Sequence, residues 1–424
     1  MNIPRSIFFF HENPEMLLPP KLIRVLAFDT SISFQRVPVQ LGGLVFLRYL
    51  SITQWFEDLD HVVSNNPNLV TLVVSGNGAP TVHFPSSIWK PPNLKHLELG
   101  NSYMVDPPSA DKKNLQTLSW VVRPINCRQM VYGKFHNIKN MKIFLKDDIE
   151  PSHIRGCCSN PIILDHFDCL EGLEKLSISV SIGCNAALPE ECMYPSRLKK
   201  LKLSGTNISQ WDINVIAKLP QLKVLKLENA FHGTVWNVEA EGGFPELIFL
   251  LLEAKDLKQW VVSTNQFWML KHLVLRSCNS LEQIPMGFAK ISTLKSIELE
   301  GCKSSLVTFA KQLQQKGKFK NVEVMPAHRG VPRVNNLYEE FFKCVGQAYG
   351  NKKRLIELPQ LLKAHRDKLV VNMTQNESRV GKSHMIRSYC GSTASPTIEV
   401  YPATISKNKG FGKRLKSSKE IALE

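Results

Sequence analysis

A chain of 424 residues with 53 Lys+Arg against 37 Asp+Glu carries a formal net charge of +16, and 43% of it is hydrophobic. That apolar content suits a large buried core and is too high for a solvated, disordered chain; no apolar run approaches the roughly 20 residues of a membrane helix. Ten cysteines without paired spacing argue against a disulfide framework and for a reducing, cytoplasmic compartment. The Asn-x-Ser/Thr triplets at Asn207, Asn372 and Asn376 therefore carry no weight as glycosylation sites.

At the start, Arg5 precedes only the short apolar run from Ile7 to Phe10, which His11, Glu12 and Asn13 end before a signal peptide develops. A pattern then sets in, clearest in residues 270–285, LKHLVLRSCNSLEQIP. Leu270 opens the unit. Leu273 and Leu275, two apart, share one face of a short strand and point into a core. Cys278, Leu281, Ile284 and Pro285 close the return, while Lys271, His272, Val274 and Arg276 are left to solvent. The opening positions fall at Ile23, Leu47, Leu69, Leu94, Leu115, Ile138, Leu173, Leu198, Leu222, Leu247, Leu270, Leu294 and Phe319. Successive openings lie 21 to 25 residues apart, except for one interval of 35 between Ile138 and Leu173. One unit cannot bury its own leucines, so each has meaning only as a rung in a stack.

This L-x-x-L-x-L period with its Asn/Cys slot matches a leucine-rich repeat. Residues 37–50, VPVQLGGLVFLRYL, and 84–99, FPSSIWKPPNLKHLEL, are Pro-led returns that run into the next strand. They resemble intracellular plant disease-resistance receptors that combine a coiled coil, a nucleotide-binding domain and terminal leucine-rich repeats. Residues 198–231 and 244–260, followed by LKHLVLRSC, look like the nightshade subgroup named for late-blight resistance. The resemblance spans residues 4–324 and implies an α/β solenoid: a leucine-rich-repeat horseshoe with short parallel strands on its concave face. It also implies a non-catalytic role in recognition and autoinhibition, with a pathogen effector or guarded host protein as ligand. The nucleotide-binding domain of a receptor is the implied second partner, and no small-molecule substrate is expected.

Full-length members of that family bind ADP or ATP through an upstream module whose phosphate-binding loop has no counterpart here, so no cofactor is expected in this chain. Gly381, Lys382 and Ser383 match the end of such a loop, but Asn376 replaces its first glycine and the fragment follows the repeats. The sequence therefore reads as part of a longer receptor or as a stand-alone relative. A leucine-rich-repeat substrate adaptor of a ubiquitin ligase is the alternative, but the residues before Ile23 are too few for the helical module it needs.

Two constellations invite a catalytic or metal reading. His365, Arg366, Asp367 and Asn372 fit the kinase catalytic-loop spacing, yet the glycine-rich loop, strand lysine and D-F-G are missing, so a charged helix over residues 355–373 is expected. His153, Cys157, Cys158, His166 and Cys169 fall in the long interval, but not at paired zinc spacing, so an irregular insertion near 147–170 is expected. The expectation is a protein that is not an enzyme and holds no metal.

Charge is more informative. The slot after each opening residue is basic in nine of thirteen units: Arg24, Arg48, Lys95, Lys139, Lys199, Lys223, Lys271, Lys295 and Lys320. Stacked, these form a positive ladder along one edge. Lysine there serves either as packing, its stem over the leucines and its head wet, or as a docking edge for an acidic surface. The candidate protein-binding residues are Arg24, Arg48 and Lys95 on the ladder, with His96, Glu98, Lys202, Lys226, His272, Arg276 and Glu298 in variable strand slots. Nucleic acid is not the expected partner.

The domain reading is a degenerate first repeat over 1–22, the solenoid over 23–328 and a basic, partly helical or disordered tail over 329–424. Residues 331–424 hold 17 Lys+Arg against 8 Asp+Glu. Residues 337–349 place apolar side chains at helical spacing and could cap the last rung. Six basic residues in 407–419 suit a nuclear address, an anionic-membrane contact, a nucleic-acid tail or plain solvated disorder.

Overall fold

The computed structural model describes residues 6–9, 22–28, 43–55, 59–76, 81–121, 129–146, 162–164, 166–181, 186–239, 242–262, 265–316 and 321–325, with further strands at Met385–Gly391, Pro396–Pro402 and Ile421–Ala422. A strand begins two residues after every one of the thirteen opening positions, from Val25–Phe28 after Ile23 to Asn321–Met325 after Phe319. The reason is local: the carbonyl in the slot between opening residue and strand accepts two N–H groups from the next rung. Arg24 accepts from Arg48 and Tyr49, and Lys199 accepts from Lys223 and Val224. Each opening residue from Ile23 to Leu294 is buried.

The chain divides into two compact units. In the first, the parallel strands Ser6–Phe9, Val25–Phe28, Tyr49–Ile52 and Thr71–Val74 pair in sequence order. The strand Ser6–Phe9 lies ahead of the first opening position, Ile23. Helix Leu59–Ser64 and the 3-10 turn Ser86–Trp89 form its returns, joined by a hydrogen bond from Ser87 to Asp60. In the PNL turns, Asn68 donates to the Val45 carbonyl at 2.9 Å and Asn93 to the Pro67 carbonyl at 2.8 Å, each stitching its turn to the previous rung.

In the second unit the strands Thr117–Val121, Asn140–Leu145, Lys175–Val180, Lys200–Ser204, Val224–Glu228, Phe249–Glu253, His272–Arg276, Ser296–Glu300 and Asn321–Met325 form one parallel ladder. Alternate residues such as Leu201, Leu203, Leu273 and Leu275 are fully buried, each burial stabilising by about 1.5–3 kcal/mol. The returns vary. Helix Gln210–Ala217 is capped by Ser209, whose Oγ accepts from the Asp212 N–H at 3.2 Å while Asp212 accepts from the Ser209 N–H at 2.7 Å. Elsewhere aromatic rings fill the return layer: Trp236 stacks on Trp260 at 5.2 Å, Phe244 on Phe267 at 4.8 Å, and Phe288 meets Trp260 at 5.0 Å. Helix Ser304–Lys316 packs its last return through Leu306, Ala310 and Leu313.

In the long interval the described residues include a short strand, Ile162–Ile163, paired with Ala186–Ala187. The remaining residues of 147–161 and 182–185, the helices expected over 337–349 and 355–373, and the basic stretch 407–419 lie outside the described residues. Where the tail is described it forms an antiparallel three-stranded sheet, in which Met385–Gly391 pairs with Pro396–Pro402 and that strand with Ile421–Ala422. The alternation in Ile398, Val400 and their polar neighbours favours strand over helix there. No helix among the described residues is long and apolar enough to cross a membrane.

Candidate functional site: an open sheet face

One face of each ladder is core; the other is open. In the second unit the open face carries three in-register rows, set two, four and six residues after each opening position. One row runs Lys200, Val224, Phe249, His272 and Ser296. Beside it run Lys202, Lys226, Leu251, Val274, Glu298 and Glu323, and then Ser204, Glu228, Glu253, Arg276 and Glu300. Neighbouring parallel strands lie about 4.8 Å apart, so these side chains are mutual neighbours although some 25 residues separate them in sequence.

Of the candidate residues, the fold brings Lys202, Lys226, His272, Arg276 and Glu298 onto this one face. Lys202 Nζ meets Glu228 Oε2 at 2.6 Å, and Lys226 lies over the Phe249 ring, 5.4 Å from its centroid. His272 Nδ1 is 2.9 Å from Ser296 Oγ, and Arg276 Nε donates to Glu300 Oε2 at 2.9 Å. Arg24, Arg48, Lys95, His96 and Glu98 belong to the first unit. There Arg24, Arg48 and Lys95 are exposed on the edge ladder, with Val70 between the last two, since Val70 N–H donates to the Arg48 carbonyl and Lys95 N–H to the Val70 carbonyl.

In the second unit the edge ladder is partly neutralised. Lys199 Nζ pairs with Glu174 at 3.0 Å, and Lys223 lies 4.0 Å from Glu246. The Lys199 hydrogen bond holds the Glu174 carboxyl below its usual range. Lys271 and Lys295 follow in the same edge; Lys320 lies outside the described residues.

Sequence reasoning placed Val274 on the solvent side but missed Lys142, Lys175, Lys200, Glu228, Glu253, Glu300, Phe249 and Leu251 as parts of the face. The signal was available, because each sits at one of the same three offsets from its opening residue. Burial lowers the Lys200 ammonium below its usual value, and the charges of Lys226, Lys175, Lys202 and Lys142 add to that. Burial likewise raises the Glu253 carboxyl, with Glu228 and Glu300 pushing the same way and Arg276 opposing. Leu251 and Val274 are 4% and 5% exposed although they belong to the open face. The site is a charged surface with an apolar floor.

On the outer side, an open cleft of about 630 Å³ lies between Glu190–Ser196 and the helix carrying Trp211, and the Lys218–Glu191 ion pair at 3.0 Å lines it. Among the described residues no group of His, Cys, Asp and Glu is arranged to hold a metal. Of the cluster weighed for zinc, His153, Cys157 and Cys158 lie outside those residues. Cys278, fully buried, has its Sγ 3.6 Å from the Leu252 carbonyl of the preceding rung, and Cys302 repeats the contact to Leu275 at 3.4 Å. That is the packing role the Asn/Cys slot calls for.

Comparison with known proteins gives a family model, described as leucine-rich repeat region, that matches residues 4–311. The late blight resistance protein homolog R1B-13 of Solanum demissum is 29% identical over 307 residues, covering 70% of this chain and 25% of that protein. The homolog R1B-16 of the same species is 30% identical over 310 residues, 71% of this chain and 23% of the relative. The chain thus spans about a quarter of the length of these curated relatives. Among solved structures, an internalin from Listeria monocytogenes aligns with 68% of this chain and 83% of its own at 14% identity, with a TM-score of 0.37.

Proposed function

This chain belongs to the leucine-rich repeat region family, and on that premise we propose that it is the recognition and autoinhibitory part of a plant resistance receptor. It acts by binding. Side chains on the open faces contact a pathogen effector or a guarded host protein, and the basic edge at Arg24, Arg48 and Lys95 docks on the acidic surface of a nucleotide-binding module to hold it inactive. The likeness to late blight resistance homologs, over 70% and 71% of the chain, supports the receptor setting. The observation that carries the binding role is the in-register convergence of charged side chains from separate rungs on one face. Such a face recognises a folded surface or an extended segment; it does not assemble an acid, a base and a nucleophile around one point.

The test is reversal of Arg24, Arg48 and Lys95 to Glu, with binding measured in trans to a separately expressed nucleotide-binding module. Binding by the unmutated chain should weaken with salt, since exposed charges are screened beyond a Debye length of about 8 Å at physiological ionic strength. The reversed triplet should abolish binding and, co-expressed in leaf, release cell death without a pathogen. Reversal of Lys271, Lys295 and Lys320 is the matched control and should matter less. If both triplets leave binding and its salt dependence unchanged, the docking edge is only wet repeat lysine and autoinhibition through it is refuted.

A further inference from the structure

The open face of the second unit reverses its charge halfway along the rungs. Strands Asn140–Leu145, Lys175–Val180, Lys200–Ser204 and Val224–Glu228 place five lysines on the three rows, Lys142, Lys175, Lys200, Lys202 and Lys226, against Glu228 alone. The next four strands place Glu253, Glu298, Glu300 and Glu323 there against Arg276. Between the two fields lie Phe249, Leu251 and Val274. Taken along the rungs, the surface runs basic, apolar, acidic.

The two fields do not neutralise each other, because they occupy different rungs. Within each field one pair forms, Lys202 with Glu228 and Arg276 with Glu300. Away from those pairs Lys175 stands in register with Lys200 and Glu298 with Glu323. Lysines crowd Lys200, whose ammonium is held down by burial first and by four lysines next. On the acidic side the Glu253 carboxyl is pushed up by burial first; Arg276 opposes this, and Glu228 and Glu300 add to it. Like charges in register on neighbouring strands destabilise a sheet by fractions of a kcal/mol each, and a ligand of complementary pattern relieves both fields at once.

We propose that this face binds an extended protein segment carrying a block of carboxylates, then apolar residues, then a block of basic residues, laid across the rungs. The proposal rests on the binding role argued above and supplies the chemistry of the partner. Eight rungs at about 4.8 Å span about 34 Å, the length of about ten extended residues. The carboxylate block lies over Lys142 to Lys226, the apolar residues over Leu251 and Val274, and the basic block over Glu253 to Glu323. A nucleic acid fits less well. A polyanion that satisfied the lysines and continued along the rungs would meet Glu253, Glu298 and Glu323, and of the two phenylalanine rings on these rows, Phe144 and Phe249, the second is already covered by Lys226.

The experiment is fluorescence anisotropy with the full chain and four labelled probes at about 50 mM and about 150 mM salt. The first is a decapeptide of four glutamates, two leucines and four lysines in blocks. The second has the same composition with the charges alternated, the third is all glutamate, and the fourth is single-stranded DNA of about ten nucleotides. The block peptide should bind about tenfold tighter than the alternated peptide or the DNA, and more weakly at the higher salt. Joint K200E and K226E should remove that preference. Joint E253K and E298K should also remove it while tightening binding of the all-glutamate peptide. Circular dichroism checks that these variants fold, and the milder pair K200Q and K226Q should give an intermediate loss.

Equal affinity for block and alternated peptides overturns the proposal, as does failure of every probe to bind. Tighter binding of DNA than of the block peptide overturns it in favour of a nucleic-acid surface. If any of these results is found while reversal of Arg24, Arg48 and Lys95 still weakens binding to the nucleotide-binding module, the proposed function stands and only the partner chemistry falls. If the block peptide binds as expected while that triplet is silent, the docking edge falls and this face survives.

Discussion

Leu273→Ala tests the stacked-rung account of stability most directly. Leu273 is fully buried, and in the ladder it lies in register between Leu250 of the preceding strand and Ile297 of the following one. The substitution removes three carbons, about 2.4 kcal/mol of transfer free energy at about 0.8 kcal/mol each. The cavity left between two rungs that cannot close on it adds to this, giving about 3–4 kcal/mol in total. Because each rung contacts only its neighbours, the damage should decay along the stack. Hydrogen exchange on the full chain should show amide protection falling most in Phe249–Glu253, His272–Arg276 and Ser296–Glu300 and holding in Asn140–Leu145. Lys295→Ala, at an exposed edge position, is the control and should cost less than about 0.5 kcal/mol. Uniform loosening across both regions, or a cost below about 1 kcal/mol, would refute the nearest-neighbour reasoning.

Gly205→Ala should destabilise by more than about 1 kcal/mol in urea unfolding, the cost of its left-handed backbone alone. Its φ is +65° and a Cβ there would stand 2.6 Å from the Val180 carbonyl oxygen, whereas Gly43→Ala, with nothing within 4 Å, should be near neutral. Ser209→Ala should cost about 1 kcal/mol by removing one half of the capping box, read by the same unfolding and by local exchange in Gln210–Ala217. Glu253→Gln should stabilise the chain at neutral pH. The folded carboxyl titrates above its unfolded value, so stability is fully present below the usual glutamate range and is lost as pH rises through the folded value. The glutamine variant should lack that decline in a pH series of thermal unfolding, and an unchanged profile would refute the burial that raises the Glu253 carboxyl.

The fold was legible because a repeat states the same physical requirement many times. A single Leu-x-x-Leu-x-Leu is ambiguous; thirteen at near-constant spacing place a strand in each rung, beginning two residues past its opening side chain. The returns were less legible. The aromatic stack of Trp236, Trp260, Phe267 and Phe288 satisfies the return layer without a helix, and nothing in a Pro-punctuated return distinguishes ring packing from a helical turn. The tail strands were missed because the tail has no period to multiply a weak local preference.

The open face shows where such reading stops. Choosing Lys202, Lys226, His272, Arg276 and Glu298 needed only the alternation of one strand at a time. What gives those residues a collective property is the register between strands, which sets Lys202 against Lys226 and Glu253 against Arg276. Lys200 is an ordinary repeat lysine in its own rung and becomes the centre of a cationic field only beside Lys175, Lys226 and Lys142. Leu251 and Val274 read as solvent-facing in their own strands, yet on the assembled face they are buried. Each rung alone carries only one or two charged side chains on this face; stacking aligns them into rows, and the rows reverse sign where the floor turns apolar. The proposed recognition face is therefore a property of the spacing between repeats as much as of any residue within one. A one-residue change in a return that shifted a strand's register would erase the pattern without altering a single charge, because it would carry core leucines to the open face and the charged side chains to the core.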